Sequence, residues 1–279
     1  MDLNPYLADN RNNWNDRVAV HLGPDGYEID RYVDDPTLVN SVIEFDSGPL
    51  GDLSDKRVVH FQCHLGTDTI SLDRIGACEV VGLDFSDKAI ESARDLAART
   101  GSKAQFVVSN VYDAPVALGE SAFDLVYTSV GAINWLDDIS KWAEAVAGVL
   151  VEGGRLYLRD VHPSLWSWEE IDGQVVLHYD YFQTPDKPLT FDEQASYVGS
   201  DASTMTNTRS HEWNHSIPSI VTALADAGMR VVRMEEHEGI DWPFVPSCEK
   251  IGDQWFLPEP LRGKVPAMFT LEAVLTPNR

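Results

Sequence analysis

Three stretches of this chain hold residues whose types and spacing suit chemistry. The first is Val58-Val59-His60-Phe61-Gln62-Cys63-His64-Leu65-Gly66, a β-branched run feeding a turn with one glycine. Asp84 follows at the end of Val80-Val81-Gly82-Leu83. A carboxylate at the carboxyl end of a second parallel strand, beside the switch point of an open sheet, accepts hydrogen bonds from ribose hydroxyls. An adenosine-containing cofactor is therefore expected, against the competing reading of Asp84 as a turn or helix-capping acid. The second stretch is His211-Glu212-Trp213-Asn214-His215, which matches the zinc-binding His-Glu-x-x-His pattern, with Glu235 and Glu236 downstream as third-ligand candidates. That pattern needs a helix, yet Ser216 reads as an N-cap and Pro218 as an early helical residue, so the helix begins too late. In an extended segment the two imidazoles stand too far apart for one tetrahedral ion, and no metal site is expected. The third stretch is Asp160-Val161-His162-Pro163, where His162 is the best-placed general base at the end of a fifth strand. His211 and His215 join it as catalytic candidates near the mouth of the same cleft, each against the competing reading of a structural histidine.

The elements that must position these residues alternate. Strands are expected at 57–61, 78–83, 104–108, 123–128 and 154–161, with helices between them. Ser86 opens one helix, which Gly101 closes, and Asp137 or Asp138 opens another that runs to Leu150. Strand-helix-strand spacing of this kind makes right-handed parallel crossovers and an open, doubly wound sheet. The near-continuous apolar strands fit a sheet covered on both faces. Trp14, Val18 and His21 or Leu22, and then Leu38, Val42 and Phe45, recur at helical spacing before the first strand, with Pro36 in a first helical turn. Residues 163–210 break the rhythm; 174–183 and 189–198 read as a hairpin about Thr184-Pro185-Asp186-Lys187-Pro188. The expected organisation is an N-terminal helical cap (1–50), a cofactor-binding core (51–162), an inserted β-rich lid or interface (163–210), and the remainder of the core with a substrate-pocket segment (211–279).

Composition narrows the function. The 279 residues include 45 acidic and 21 basic side chains, a formal charge of −24, with 43% hydrophobic residues. That supports a sizeable core and disfavours nucleic acid or an anionic membrane as partner, because both are bound by clustered Lys and Arg. No run approaches the ~20 apolar residues of a spanning helix. The start lacks a signal peptide's basic and apolar regions. The three cysteines, Cys63, Cys78 and Cys248, fit neither a disulfide framework nor a cysteine-only zinc site. A soluble, cytoplasmic protein is expected.

Residues 55–162 resemble the class I S-adenosylmethionine-dependent methyltransferases, most closely their small-molecule branch. The Val58–Gly66 turn aligns with their glycine-rich motif, Asp84 with the ribose acid and Asn110 with the adenine-edge residue. Phe123-Asp124-Leu125-Val126 and Gly153-Gly154-Arg155-Leu156 match their fourth and fifth strand starts. The resemblance implies a Rossmann-like, mostly parallel seven-stranded sheet with the N-terminal cap and a hairpin insertion after strand five. It implies S-adenosyl-L-methionine as cofactor. Gln62, His64 and Gly66 would lie along it, Asp84 and Phe85 at the ribose, Asn110 and Val111 at the adenine, and Ser129 and Gly131 on the floor. The family's acid at the end of strand one falls here on His60, and two of its three loop glycines fall on Gln62 and His64. A diphosphate-binding loop needs such glycines for close backbone approach, whereas S-adenosylmethionine has no phosphate. The departures therefore weigh more against a dinucleotide than against this cofactor. The implied reaction is methyl transfer by alignment in a closed aromatic pocket, with Trp14, Trp135, Trp166, Trp213 and Trp255 as candidate walls. The expected partner is a small-molecule acceptor, uncharged or basic, with no nucleic acid and no membrane, and the insertion doubles as a candidate homodimer interface. Two alternatives are an S-adenosylmethionine-binding protein without catalysis and a zinc metallopeptidase acting through His211–His215.

Overall fold

The computed structural model describes residues 4–198 and 203–277. Three helices come first: α1 (Pro5–His21), α2 (Ile29–Asp34) and α3 (Ser41–Leu50). The alternating core follows as β1 (Arg57–Phe61), α4 (Thr67–Arg74), β2 (Glu79–Asp84), α5 (Asp87–Thr100), β3 (Gln105–Val108), α6 (Ala114–Leu118), β4 (Phe123–Thr128), α7 (Ile139–Val149) and β5 (Leu150–Val161). Then come β6 (Trp168–Ile171), β7 (Gln174–Leu177), β8 (Leu189–Asp192), β9 (Arg209–Glu212), α8 (Ile217–Asp226), β10 (Met229–His237), β11 (Gly239–Ile240), β12 (Glu249–Ile251), β13 (Gln254–Phe256) and β14 (Met268–Leu275).

Seven strands form one sheet in the order β10-β14-β5-β4-β1-β2-β3, all parallel except β14. This is the Rossmann-like methyltransferase architecture. Caps set the helix ends: Ser86 accepts from the Ala89 amide, Asp138 from Ser140 and Lys141, and Gly101 closes α5 at a φ of 68°. One core fills the side covered by α7 and α8, around Trp142, Val146, Leu156 and Phe269. Another lies under α3 and α4, around Ile43, Leu72 and Tyr157. Each such side chain contributes about 1.5–3 kcal/mol on burial, and their sum fixes the strand ends that form the site.

Two local expectations fail. The third helix starts at Ser41 behind an Asn40 cap, so Pro36 lies in the preceding loop. The insertion pairs differently as well. Trp168–Ile171 folds back on Gln174–Leu177 through Asp172-Gly173, both at positive φ, and Leu189–Asp192 pairs with Arg209–Glu212. A two-residue Asp-Gly turn matches the twist of its flanking strands, and it outcompetes the longer proline-flanked loop that the sequence suggested.

Candidate active site

A half-open cleft of about 1260 Å³ runs across the carboxyl ends of β1, β2 and β4. It exceeds the ~300–1,000 Å³ of an ordinary ligand pocket, so it has room for two reactants. Its base is the turn after β1, in which Gln62, His64 and Gly66 have φ of 58°, 47° and 76°. Left-handed backbone costs a residue with a side chain roughly 1–2 kcal/mol, so the turn stores strain where glycines would relieve it. A Cβ on Gly66 would meet the Phe106 ring at 2.5 Å, so this glycine makes room for core packing.

Asp84 joins β2 to that turn. Its Oδ2 accepts from the His64 amide at 2.9 Å and its Oδ1 from the Ser86 amide at 2.8 Å. Each oxygen keeps a further lone pair for a ligand. Burial raises the carboxyl to about 6 despite the backbone hydrogen bonds that pull it down. On the floor, the Ser129 hydroxyl donates to Asp68 at 3.0 Å and lies 3.3 Å from His60 Nε2, while His60 Nδ1 meets the Thr69 hydroxyl at 2.9 Å. Burial lowers His60 to about 4, which keeps the imidazole neutral at pH 7. Asp160, at the end of β5, accepts from the Gly131, Ala132 and Ile133 amides and so shapes the turn after β4.

Helix α1 closes the cleft. Asn15 accepts from the Ser86 hydroxyl, while the buried Asn10 exchanges two hydrogen bonds with the His211 backbone. Asn13 donates to the Asn207 carbonyl, and Asp16 accepts from the Thr206 and Asn207 amides. The helix thus straps the insertion to the β2–α5 junction. On its cleft side Trp14 meets His64 and Trp135 edge-on at 5.0 and 5.1 Å. His21 Nδ1 and His64 Nε2 are 2.7 Å apart, and burial drives both imidazoles well below their ordinary range.

Several buried polar atoms beside this cleft have no partner among the described residues: Gln62 Oε1, His64 Nδ1 and Asn134 Oδ1. The two amide groups are fixed from the other side, Gln62 by donating to the Ala132 carbonyl at 2.8 Å and Asn134 by donating to Glu212 Oε2 at 2.9 Å. A buried acceptor without a donor is costly in an isolated chain and is satisfied by a ligand carrying N–H or O–H groups. These acceptors fit a donor-rich ligand such as an adenosyl amino acid, whose hydroxyls could donate to the Asp84 oxygens and whose ammonium could donate to the orphan oxygens.

Known proteins share part of this sequence and its fold. Residues 58–154 match the family described as a methyltransferase domain. Over this third of its length the chain is similar to the class I S-adenosylmethionine-dependent methyltransferases. Domains of this family use S-adenosyl-L-methionine. Ribosomal protein L11 methyltransferases of Vibrio cholerae are 29% and 31% identical over 110 and 112 residues, 39% of this chain and 35% of theirs. The chain thus matches about a third of the length of these curated relatives. Among solved structures, an S-adenosylmethionine dependent methyltransferase from Mesorhizobium loti superposes with a TM-score of 0.55 at 18% identity, covering 83% of this chain and 96% of that one. Magnesium protoporphyrin IX methyltransferase from Synechocystis, with bound S-adenosylmethionine, gives 0.54 at 16% identity over 99% and 100%. At these identities the likeness is one of fold.

The curated relatives also correct the expected partners. They are named for a protein acceptor, which overturns the partner set built on a small-molecule substrate without nucleic acid or membrane. Net charge describes the whole surface, and the cofactor motifs are silent about what faces the methyl group. Among the described residues no helix is long and apolar enough to cross a membrane.

The cleft gathers many of the anticipated residues. Gln62, His64, Asp84, Phe85, Ser129, Gly131, Trp14, Trp135 and Trp166 line the cleft. Others lie elsewhere. Asn110 caps the short turn at Val111–Asp113 by accepting from the Tyr112 amide, and the Val111 side chain is buried. Trp213 is buried and donates to the Pro185 carbonyl, and Trp255 sits on β13 beneath Lys250. His162 bonds Ser164 and approaches Glu236 at 3.2 Å. His211 lies between Thr190 and Asp9, and His215 contacts the Leu136 carbonyl. None of these three histidines lines the cleft. His211 and Glu212 end β9 and alternate across it, so only Glu212 of that motif lines the cavity; the helix that two-histidine zinc ligation needs is absent there. Sequence reasoning missed Arg17, Asp68 and Asn134, and it read Glu212 only as a zinc-motif residue. No local signal separated these polar residues from solvent-exposed ones.

Proposed function

We propose that the protein transfers the methyl group of S-adenosylmethionine to an amine nitrogen of a protein acceptor. The single observation that carries the cofactor half is the buried Asp84 carboxylate, held by two backbone amides at the lip of a cleft whose other polar atoms await donors. Supporting a protein acceptor are the names of the curated relatives. Supporting an amine is the acidity of the rest of the cleft, where Glu169, Glu170, Glu193, Glu212 and Asp241 face a shared space with aromatic walls. Carboxylates and aromatic faces both attract an alkylammonium group.

When bound, the sulfonium supplies an activated methyl group. The chain's own residues then have to hold, orient and deprotonate. The Asp84 carboxylate accepts from the ribose diol. Trp14 and Trp135 exclude water above the β1 turn. Alignment of an entering nucleophile in such a closed site is worth about 7–11 kcal/mol at best. An ammonium must lose its proton before it can attack. Glu212 suits the role of proton acceptor, because burial raises its carboxyl, Asn134 fixes Oε2, and Oε1 is left for the incoming amine.

Calorimetry with S-adenosylmethionine, followed by tritiated-methyl transfer to ribosomal protein L11 and to lysine-rich peptides before and after acetylation, tests the reading. Binding of the cofactor, label in the free amines and loss of label on acetylation are expected. Label that persists after every amine is blocked refutes the acceptor assignment. In Glu212→Gln, whose amide oxygen still accepts from Asn134, kcat should fall at least tenfold at pH 7.

A further inference from the structure

Arg17 projects a half-buried guanidinium into the cleft from α1. Its Nε donates to Asn13 Oδ1 at 2.7 Å, and its Cζ lies 5.3 and 5.7 Å from the Trp14 and Trp135 ring centroids. Among the described residues no carboxylate comes within ion-pair distance and its four η N–H groups make no hydrogen bond. Arg74 and Arg94, which also lack an ion pair, donate their η N–H groups to backbone carbonyls, whereas those of Arg17 have no such acceptor among the described residues. Burial lowers its pKa, against the pull of Tyr197, Glu212 and Tyr27.

The planar fork of an arginine matches a carboxylate. The unsatisfied atoms nearby have the opposite need: Gln62 Oε1 and Asn134 Oδ1 require N–H donors, and the Asp68 carboxylate lies on the same floor. One ligand group meets both demands, namely an α-amino acid, with its carboxylate and ammonium on adjacent positions. Placement agrees. Asp84 marks the ribose on one side of the 62–64 turn; Trp14 packs on His64, and Gln62 crosses to Ala132 on the other.

Resting on the cofactor assignment above, we propose that Arg17 binds the α-carboxylate of the cofactor's amino-acid end, while Gln62 and Asn134 take the ammonium. His60, Gln62 and His64 stand in the turn after β1, and helix α1 adds Arg17 and Trp14 to the same cleft.

Calorimetry of the full-length chain with three probes tests this. S-adenosylmethionine carries the whole amino-acid end, its decarboxylated form keeps only the amine, and 5′-methylthioadenosine has neither. Arg17→Ala should weaken S-adenosylmethionine about 10- to 100-fold, leave 5′-methylthioadenosine within twofold, and bind the decarboxylated form as the native chain does. Arg17→Lys should fall between, keeping the charge but not the fork. Equal losses for S-adenosylmethionine and 5′-methylthioadenosine would mean that Arg17 only shapes the cleft, and unchanged S-adenosylmethionine affinity would put its carboxylate elsewhere, an acceptor's included; either result overturns the proposal. Failure of all three probes to bind the native chain would instead refute the cofactor assignment.

Discussion

Asp84→Asn separates the two roles of that side chain, because it preserves shape while removing charge. Raising a carboxyl from 3.8 to about 6 costs its ionised form roughly 3 kcal/mol. Below about pH 4 the group is protonated whether the chain is folded or not, and the cost is absent. It grows as pH rises and is complete above pH 6, so this carboxyl makes the fold progressively less stable between pH 4 and 6. The asparagine variant loses that step. Its single oxygen can satisfy only one of the His64 and Ser86 amides, which leaves one buried donor unmatched at about 1–3 kcal/mol. Urea unfolding should therefore find the variant less stable than the native chain at pH 4.5 and nearly level with it at pH 8. Ligand binding should move the other way. A ribose diol donates to the ionised form, so native affinity for S-adenosylhomocysteine should fall as pH drops from 8 to 5. The variant should bind about 10- to 100-fold more weakly at pH 8 with a flatter profile. Calorimetry across that range checks both. Native affinity that is level from pH 8 to 5, or a variant within twofold of native at pH 8, would refute the reasoning.

Three further substitutions probe the scaffold. Asp46 is buried and accepts from the Tyr127 and Tyr157 hydroxyls and from Arg159 Nε, which is itself buried and otherwise paired with Asp241 on the cleft wall. Asp46→Ala should destabilise by about 3–5 kcal/mol in urea unfolding, because it strands most of a buried charge. Gly66→Ala places a methyl group 2.5 Å from the Phe106 ring at a φ of 76°, so a loss of about 2 kcal/mol or more is expected, read as a drop in Tm. His162→Ala removes a side chain engaged with Ser164 and Glu236 outside the cleft; methyl transfer should stay within about twofold of native, and a larger loss would return that histidine to the mechanism.

The alternating core was legible because each of its elements carries its own signal. A β-branched run followed by Ser86 or Asp138 at a helix start and Gly101 at an end reads the same in isolation as in the fold. The insertion was less legible, since pairing is decided between segments. The run 189–198 has strand character throughout, but it pairs only over Leu189–Asp192, and its partner is Arg209–Glu212. The Asp172-Gly173 turn is itself a local signal, but which run folds back across it is set by the pairing of Trp168–Ile171 with Gln174–Leu177.

The candidate site divides along the same line. Asp84, Ser129 and Gly131 could be found because strand ends in a doubly wound sheet converge, so position along the chain implies position in space. Arg17, Asp68, Asn134 and Glu212 could not, because a polar side chain on a helix or strand reads as solvent-facing until a partner covers it. Asn10 and Asn13 show why: both belong to a helix with scant apolar face, and both are buried because backbone groups near residues 207 and 211 close over them. Local patterning by itself determined the sheet, its crossovers and the place where a ribose would be held. Only the tertiary structure decided which charges go unpaired inside the cleft, because desolvation depends on what packs above a side chain and not on its neighbours in sequence.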